Sequence, residues 1–234
     1  MLKKSFLLIT IIMFICGNAY NAQKMIIPSM SIDAVQAVIR GANEGDTIIV
    51  KSGTYIFNDT LKIENKKRIS IVGDGKVRFI LTEPTMAVIH VENTQGLIIR
   101  NIHASHKPVA QGCSGFVLSA SYSSGLRIDH CQLNGCGAVG FITWHCQDII
   151  VSHSKIYNNS KNGSSFNQTV KIVIQDSKIF RNKESGIALY QCSHVRVTNC
   201  RISKNKYGVS LGETTGLSGD RVKFSSNTEN ISRF

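Results

Sequence analysis

Three titratable side chains recur at one position of a repeated unit in this sequence. His130, His153 and Asp176 follow one another at equal intervals along the chain, and Asn199 continues the series. A histidine can remove a proton from carbon, and a nearby cation can neutralise the carboxylate that activates that carbon. These residue types suit β-elimination or epimerisation of a uronic acid, so His130, His153 and Asp176 are candidate catalytic residues. As an alternative, the same types form purely structural polar ladders at the corners of repeated folds.

Basic residues near this series would supply the cations. A stack of like charges is destabilising unless an anion shares the site, and a uronate chain carries one carboxylate per sugar. The alternative is that the long side chains fan out into solvent. We expect one outward column of Arg127, Ile150, Lys171 and Arg196, and a second of Lys155, Lys178 and Arg201.

Aromatic residues form a further candidate binding surface. Trp144 and Tyr190 are expected to share an outward column with Asn167, and Tyr122 lies one position out of register. Exposed rings can stack on the apolar faces of sugars. In the alternative, Trp144 packs under a loop as a satellite of the core.

The acidic residues argue against two other chemistries. Glycoside hydrolysis needs two carboxyl groups about 5–9.5 Å apart, whereas Asp129 and Asp176 are expected two coils apart and Asp148 on another edge. Calcium needs several oxygen ligands around one ion, and no carboxylate cluster that would support it is evident. No zinc pattern of cysteine and histidine occurs. We therefore expect no metal or cofactor, and a lyase or epimerase rather than a hydrolase if the protein is an enzyme.

The elements that position these residues follow from the repeat. Steps of 23 from Leu126 to Asn205 keep several columns in register, and repeats of this length indicate a solenoid. Alternation such as Ile149 and Val151 is typical of strands with one buried face. The sequence predicts an all-β solenoid of about seven or eight coils, in which each coil buries its apolar face against the next. The aligned columns are Leu126, Ile149, Ile172 and Val195; Ile128, Val151, Ile174 and Val197; Leu133, Ile156, Ile179 and Ile202; and Asn159, Asn182 and Asn205.

The N-terminus carries two different signals. Lys3 and Lys4 precede an apolar run at residues 6–15, too short to span a bilayer. Small residues allow cleavage at 19 or 22, so residues 1–19 are predicted to be a signal peptide and the protein to be secreted or periplasmic. The segment from Ser31 to Ala42 has helical spacing and a good N-cap. We expect this short helix to cap the open end of the solenoid.

The opening and the later repeats together resemble a known superfamily. Residues 45–55 read Gly-Asp-Thr-Ile-x-Val-x-x-Gly-Thr-Tyr, and residues 69–75 read Ile-x-Ile-x-Gly-x-Gly. Gly-Ile-x-Leu at 186–189 and Val-x-Val-x-Asn-Cys-x-Ile at 195–202 follow later. Residues 31–226 resemble right-handed parallel β-helix proteins of the pectate-lyase-like superfamily. That resemblance implies the fold, but the superfamily includes lyases, hydrolases, epimerases and non-catalytic members.

The end of the chain and the cysteines complete the expectations. Residues 227–234 are predicted to be a short polar tail, which leaves the last coil free for end-to-end self-association. Cys113 and Cys136 lie one repeat apart and can sit on adjacent coils, so they form the one plausible disulfide pair. Whether they pair is left open.

Charge indicates the class of partner. Loss of Lys3 and Lys4 with the signal peptide would lower the net charge from +12 to +10, and so basic a protein attracts polyanions. Export favours an acidic polysaccharide over nucleic acid. The prediction is a β-helix that binds, and as an enzyme cleaves or epimerises, such a polymer. The alternative is a structural or adhesive solenoid without an active site.

Overall fold

The computed structural model describes residues 23–108, 113–135 and 137–233. They form a parallel β-solenoid of about nine turns with one short helix. The predicted signal peptide lies outside the described residues. In the part of the chain that is described, no helix has the length and apolar character needed to cross a membrane.

Short strands account for nearly all of the regular structure. Helix α1 spans Ile32–Arg40, after its N-cap Ser31. The strands are β1 Gln23–Ile26, β2 Thr47–Phe57, β3 Leu61–Glu64, β4 Ser70–Leu81, β5 Ile89–Glu92, β6 Ile98–His106, β7 Phe116–Ser121, β8 Arg127–Asp129, β9 Gln132–Asn134, β10 Val139–Trp144, β11 Gln147–Ser152, β12 Lys155–Tyr157, β13 Ser164–Asn167, β14 Val170–Gln175, β15 Lys178–Phe180, β16 Ser185–Tyr190, β17 Ser193–Thr198, β18 Arg201–Ser203, β19 Tyr207–Gly212, β20 Thr215–Asp220, β21 Lys223–Ser225 and β22 Glu229–Arg233.

Each regular coil contributes three strands, and every strand pairs in parallel with its equivalent one coil away. Strands β11, β14, β17 and β20 form one ladder, β12, β15, β18 and β21 a second, and β13, β16, β19 and β22 a third. Ile149 pairs with Ile172 and Ile172 with Val195, and all three side chains are buried. The period predicted from the sequence is confirmed.

The corner between the first two ladders is a column of left-handed residues. His130, His153, Asp176 and Asn199 have φ of 52°, 48°, 52° and 51°. Asn and Asp tolerate this conformation because their short polar side chains can hydrogen-bond locally, and histidine is also enriched there. The sharp bend turns these side chains outward, away from the apolar core.

A second corner is held by an asparagine ladder. Asn159 donates to Asn182 Oδ1 from its backbone N and from Nδ2, at 3.1 and 2.9 Å. Asn182 donates in the same way to Asn205. Gly163 lies beside the ladder, where an added Cβ would stand 2.6 Å from the carbonyl oxygen of Gly186. The predicted Asn column and the glycines beside it therefore allow the coils to approach closely.

The two ends of the solenoid differ. Val35 and Ile39 of α1 are buried in the core, and Gln36 exchanges two hydrogen bonds with the backbone of Lys62 in edge strand β3. This confirms the predicted capping helix. At the other end, the expected tail contains β22, which pairs with β19.

The coil count was predicted too low because the early coils do not break at the corners. Strands β2, β4 and β6 are 11, 12 and 9 residues long, and they run through the bend that separates two strands in later coils. A register shift between Val72 and Val77 absorbs the bend in β4. β1 adds a further rung before the helix. β6 runs on to His106, and within it His103 pairs with Gln132.

Candidate functional site

Asp129 lies at the centre of the candidate catalytic cluster. Its Oδ2 accepts from His130 Nδ1 at 3.0 Å and its Oδ1 from His153 Nδ1 at 3.0 Å. Ser152 Oγ donates to Oδ1 at 2.7 Å and Arg100 Nε to Oδ2 at 2.9 Å. Four donors thus hold one carboxylate, which in turn fixes both imidazole rings.

The protonation of Asp129 follows from these contacts. Partial burial alone would raise the pKa of its carboxyl group, since burial disfavours the charged form. Hydrogen bonds from Ser152, His130 and His153 outweigh burial and hold the pKa of Asp129 well below its usual range. The carboxylate therefore stays ionised, and with both Nδ1 atoms turned to it, the Nε2 atoms of the two histidines point away from it.

His130, His153 and Asp176 lie one above another at this corner, as the repeat predicts, and their catalytic role stays a prediction. His130 and His153 stack with ring centroids 4.6 Å apart. Asp176 Oδ2 lies 3.8 Å from His153 Nε2, and Asn199 Nδ2 donates to Asp176 Oδ1 at 2.6 Å. Both ring nitrogens of His153 thus lie within 4 Å of a carboxylate oxygen, whereas His130 Nε2 has no ion-pair partner among the described residues.

A cavity of about 330 Å³ opens beside His130. His103 Nε2 lies 2.6 Å from Asn134 Oδ1, and Tyr157 Oη donates to Gln132 Oε1 at 3.2 Å. Burial lowers the pKa of His103 and raises the pKa of Tyr157, which favours the neutral form of both. The lining includes Lys76, Arg78, His103, His130, Gln132 and Tyr157.

One of the two predicted basic columns is continuous. Lys155 pairs with Lys178, Lys178 with Arg201, and Arg201 with Lys223. None of these four cations forms an ion pair with another residue in the described part of the chain. Towards the cavity the same column continues through Gln132, His103 and Arg78. We call the residues Lys155, Lys178, Arg201 and Lys223 the cationic column.

The prediction of the other basic column, which included Lys171, was wrong. The register pairs Ile150 with Val173, and Val173 with Arg196, so Lys171 does not share that column. Lys171 lies 3.5 Å from Asp148 Oδ1 and is an ion-paired corner residue. Arg127 and Arg196 do lie in one column, but the apolar side chains of Ile150 and Val173 separate them by three coil spacings.

The aromatic residues lie on two different surfaces. Trp144 pairs with Asn167 and Asn167 with Tyr190, as predicted, but they belong to the 8-stranded sheet and not to the sheet of the cationic column. Trp144 is half-buried against Phe116 in a small apolar cluster, which favours the structural alternative for this side chain. The aromatic pair beside the cationic column is Tyr157 and Phe180, whose parallel rings have centroids 4.9 Å apart.

The metal-ligating capacity of the cluster is limited. One ligand atom each from Asp129, His130 and His153 lies within 4.8 Å of the others. Calcium takes six to eight oxygen ligands, and this group offers one carboxylate already bonded to Arg100. The residues therefore do not fit calcium, and the absence of a metal requirement stays a prediction.

The cysteines are consistent with a buried, unreactive role. Cys131, Cys146, Cys192 and Cys200 are free and buried, and burial raises the pKa of each thiol. Cys113 is disulfide-bonded. Its predicted partner, Cys136, lies outside the described residues, so that pairing stays a prediction.

Comparison with known proteins identifies the family that has this architecture. The family described as "Right handed beta helix region" matches residues 85–228. The chain belongs to this family. No curated protein sequence matches the chain.

Solved β-helix structures share the fold at low identity. The crystal structure of pectate lyase Pel9A has a TM-score of 0.68 at 12% identity, over 86% of this chain and 62% of that one. An alginate lyase from Paenibacillus sp. str. FPU-7 has a TM-score of 0.59 at 12% identity, over 88% and 99% of the two chains. The catalytic domain of a GH87 alpha-1,3-glucanase has a TM-score of 0.61 at 14% identity, over 87% and 40%. The chain thus spans less than two thirds of the pectate lyase.

Several residues of the site were not predicted from the sequence. Arg78, His103 and Tyr157 line the cavity, and Arg100 completes the cluster around Asp129. A signal for His103 existed, because it follows the corner residue Asn101 by two positions, just as Gln132 follows His130. Arg78 lies after the register shift of β4, where counting by a fixed period fails.

Proposed function

We propose that this β-helix protein binds an acidic polysaccharide along the cationic column and acts on it at the cavity beside His130. The observation that carries the proposal is the run of cations, without ion-pair partners among the described residues, that leads within one column into that cavity. Parallel coils are about 4.8 Å apart, so the four cations repeat on a scale comparable to sugar units in a chain. A polyanion would remove the repulsion between them.

The stacked rings beside the column support a saccharide as the anion. Tyr157 and Phe180 form an apolar wall next to Lys155 and Lys178. Sugar rings have apolar faces that pack on such walls, while their carboxylates can reach the lysines. The pectate and alginate lyases of similar fold act, by their names, on acidic polymers of this kind.

The proposed chemistry uses the groups around His130. Its Nε2 would take the proton from C5 of a uronate, and Arg78 in the same cavity would neutralise the carboxylate as negative charge develops. In elimination, the C4–O4 bond breaks, a C4–C5 double bond forms, and the leaving oxygen takes a proton from the Tyr157 hydroxyl or from water. In epimerisation, a proton returns to C5 from the opposite face.

Asp129 would act as a positioning residue in this scheme. It accepts the Nδ1 proton of His130 and so presents Nε2 without a proton to the substrate. It is mostly buried, with 14% of its side chain exposed, and is held by Arg100 and Ser152. The carboxylate can therefore orient the ring and stabilise its protonated form after proton transfer.

The alternative is a scaffold that binds without reaction. Two observations favour it: Trp144 packs into an apolar cluster, and the corner residues form a continuous polar ladder. Both alternatives share the cationic column, and they differ in whether His130 transfers a proton.

The test follows unsaturated product by ultraviolet absorbance on pectate, alginate and glycosaminoglycans, together with deuterium uptake at C5 in heavy water. We expect one of these polymers to give a signal that His130→Gln abolishes. The matched control is His194→Gln, another left-handed histidine at a different corner, which should retain activity. If the protein binds a polymer but gives neither unsaturated product nor deuterium uptake on any of them, the catalytic proposal is rejected and the protein is a binding scaffold.

A further inference from the structure

The C-terminal end of the solenoid carries three edge strands. β20, β21 and β22 each lie at one end of their ladder among the described residues. A strand at an edge has a row of N–H and C=O groups that can pair with another chain. All three strands of the last coil thus offer backbone pairing on one flat end.

None of the described residues covers the apolar core side chains at the same end. Leu217 pairs with Val195, Phe224 with Ile202, and Ile231 with Val209, so each continues an interior column. The inner partners are buried, whereas Ile231 is 48% exposed. These side chains surround a hollow of about 1060 Å³. Such an apolar end normally marks an interaction site in a soluble protein.

The opposite end limits how copies could stack. There α1 covers the core, and Gln36 occupies the backbone groups of Lys62 in edge strand β3. A head-to-tail stack would set the open end of one copy against this helix, so the ladder that ends at β22 could not continue into β3 of the next copy. Two open ends can meet only through a two-fold axis perpendicular to the solenoid, which closes the assembly at two copies.

The sequence of β22 fits that symmetry. Antiparallel self-pairing centred on Ile231 places Ile231 opposite Ile231 of the second copy. It also places Glu229 opposite Arg233 on both sides of the axis. Residues 229, 231 and 233 share one face because strand side chains alternate. The pairing therefore brings opposite charges together twice and covers the apolar end.

We propose that two copies of this protein associate end to end through β22, with Glu229 of each copy facing Arg233 of the other. The occupant of the open end is a second copy. This inference does not depend on the proposed carbohydrate function.

Charge reversal at the edge tests the register. Sedimentation velocity at low ionic strength should show a reversible monomer–dimer equilibrium for the purified protein. Glu229→Arg or Arg233→Glu alone replaces attraction by repulsion at two symmetric places. Each should weaken dimerisation by about tenfold. The double variant, with the two charges exchanged, should return to within about threefold of the original constant.

Controls separate this effect from unfolding and from general charge effects. Glu64→Arg reverses a charge in β3 at the opposite end and should leave the equilibrium unchanged. Circular dichroism should show the same strand content for all variants. A monomer at every concentration, as expected if another segment covers the end or the charges keep copies apart, would overturn the proposal. So would open-ended oligomers, or single reversals that change nothing.

Discussion

The imidazole ring of His153 lies against that of His130, with planes at 16° and centroids 4.6 Å apart. Asp129 joins the two rings, since each of its carboxylate oxygens accepts from one Nδ1 at 3.0 Å. The stack and the carboxylate therefore form one electrostatic unit.

Replacement of Asp129 by Asn tests this unit through the pH dependence of stability. The pKa of Asp129 is lowered on folding, so its ionised form stabilises the protein at pH values above the unfolded pKa of about 3.9. That contribution is lost as pH falls towards the lower folded pKa. At neutral pH the variant should lose about 1–3 kcal/mol of unfolding free energy, measured by denaturant titration. The difference from wild type should shrink below about pH 4.

Asp148→Asn is the control, because the Asp148 side chain is 46% exposed and pairs with Lys171. It should change the unfolding free energy by about 0.5 kcal/mol or less. A loss for Asp129→Asn that stays constant from neutral to acid pH would contradict the assignment of that loss to the ionised carboxylate.

The cationic column predicts how binding responds to charge removal. Lys178→Gln and Arg201→Gln should each weaken binding to an acidic polysaccharide by about threefold to tenfold at low salt. The dependence on ionic strength should also become shallower, because fewer charges contribute. Isothermal titration at two salt concentrations measures both effects. Lys171→Gln is the matched control, since Lys171 already pairs with Asp148; equal losses for all three variants would indicate a diffuse charge effect and not a column.

The asparagine ladder predicts that removal of a single side-chain amide causes a large loss of stability. In Asn182→Ala, the backbone N and Nδ2 of Asn159 lose their shared acceptor in a buried place. Unsatisfied buried donors cost about 1–3 kcal/mol each, so the unfolding free energy should fall by about 2–4 kcal/mol. Asn227→Ala removes the same two bonds from Asn205 at the half-buried end of the ladder, where water can replace the acceptor. Equal losses at the two positions would show that burial does not control the effect.

How far the sequence predicts the site depends on the regularity of the coil. Between Leu126 and Asn205 the period is constant, and it correctly predicts the Ile149–Ile172 pair, the His130–His153 neighbours and the Lys155–Lys178 pair. Each follows because a parallel solenoid sets equivalent side chains above one another. The placement of Lys171 in the column of Ile150 was wrong, because a step of one repeat from Ile150 leads to Val173 and not to Lys171.

The other half of the cavity comes from coils with no constant period. Arg78 pairs with His103, and His103 with Gln132, and the two steps along the chain are unequal and both longer than the regular repeat. The register shift in β4 changes the count without breaking the ladder. The hydrogen bonds of Asp129 could not be predicted either, because they depend on the side-chain orientations set by the left-handed corner.

The packing of Trp144 predicts that its removal acts on stability and not on binding. Its ring contacts Phe116 at a centroid distance of 5.5 Å and packs on the cluster of Ala138, Val139 and Ile142. A half-buried aromatic ring contributes less than a fully buried one, so Trp144→Ala should lower the unfolding free energy by about 2 kcal/mol. Tyr190→Ala is the control in the same column: Tyr190 is 41% exposed, and its loss should change stability by about 0.5 kcal/mol or less.

Because β11 separates Trp144 from the cationic column, the affinity of Trp144→Ala for the polysaccharide should stay within about twofold of wild type. A Trp144→Ala variant of unchanged stability but much weaker affinity would instead make this ring a sugar platform, and would extend the binding surface onto the 8-stranded sheet.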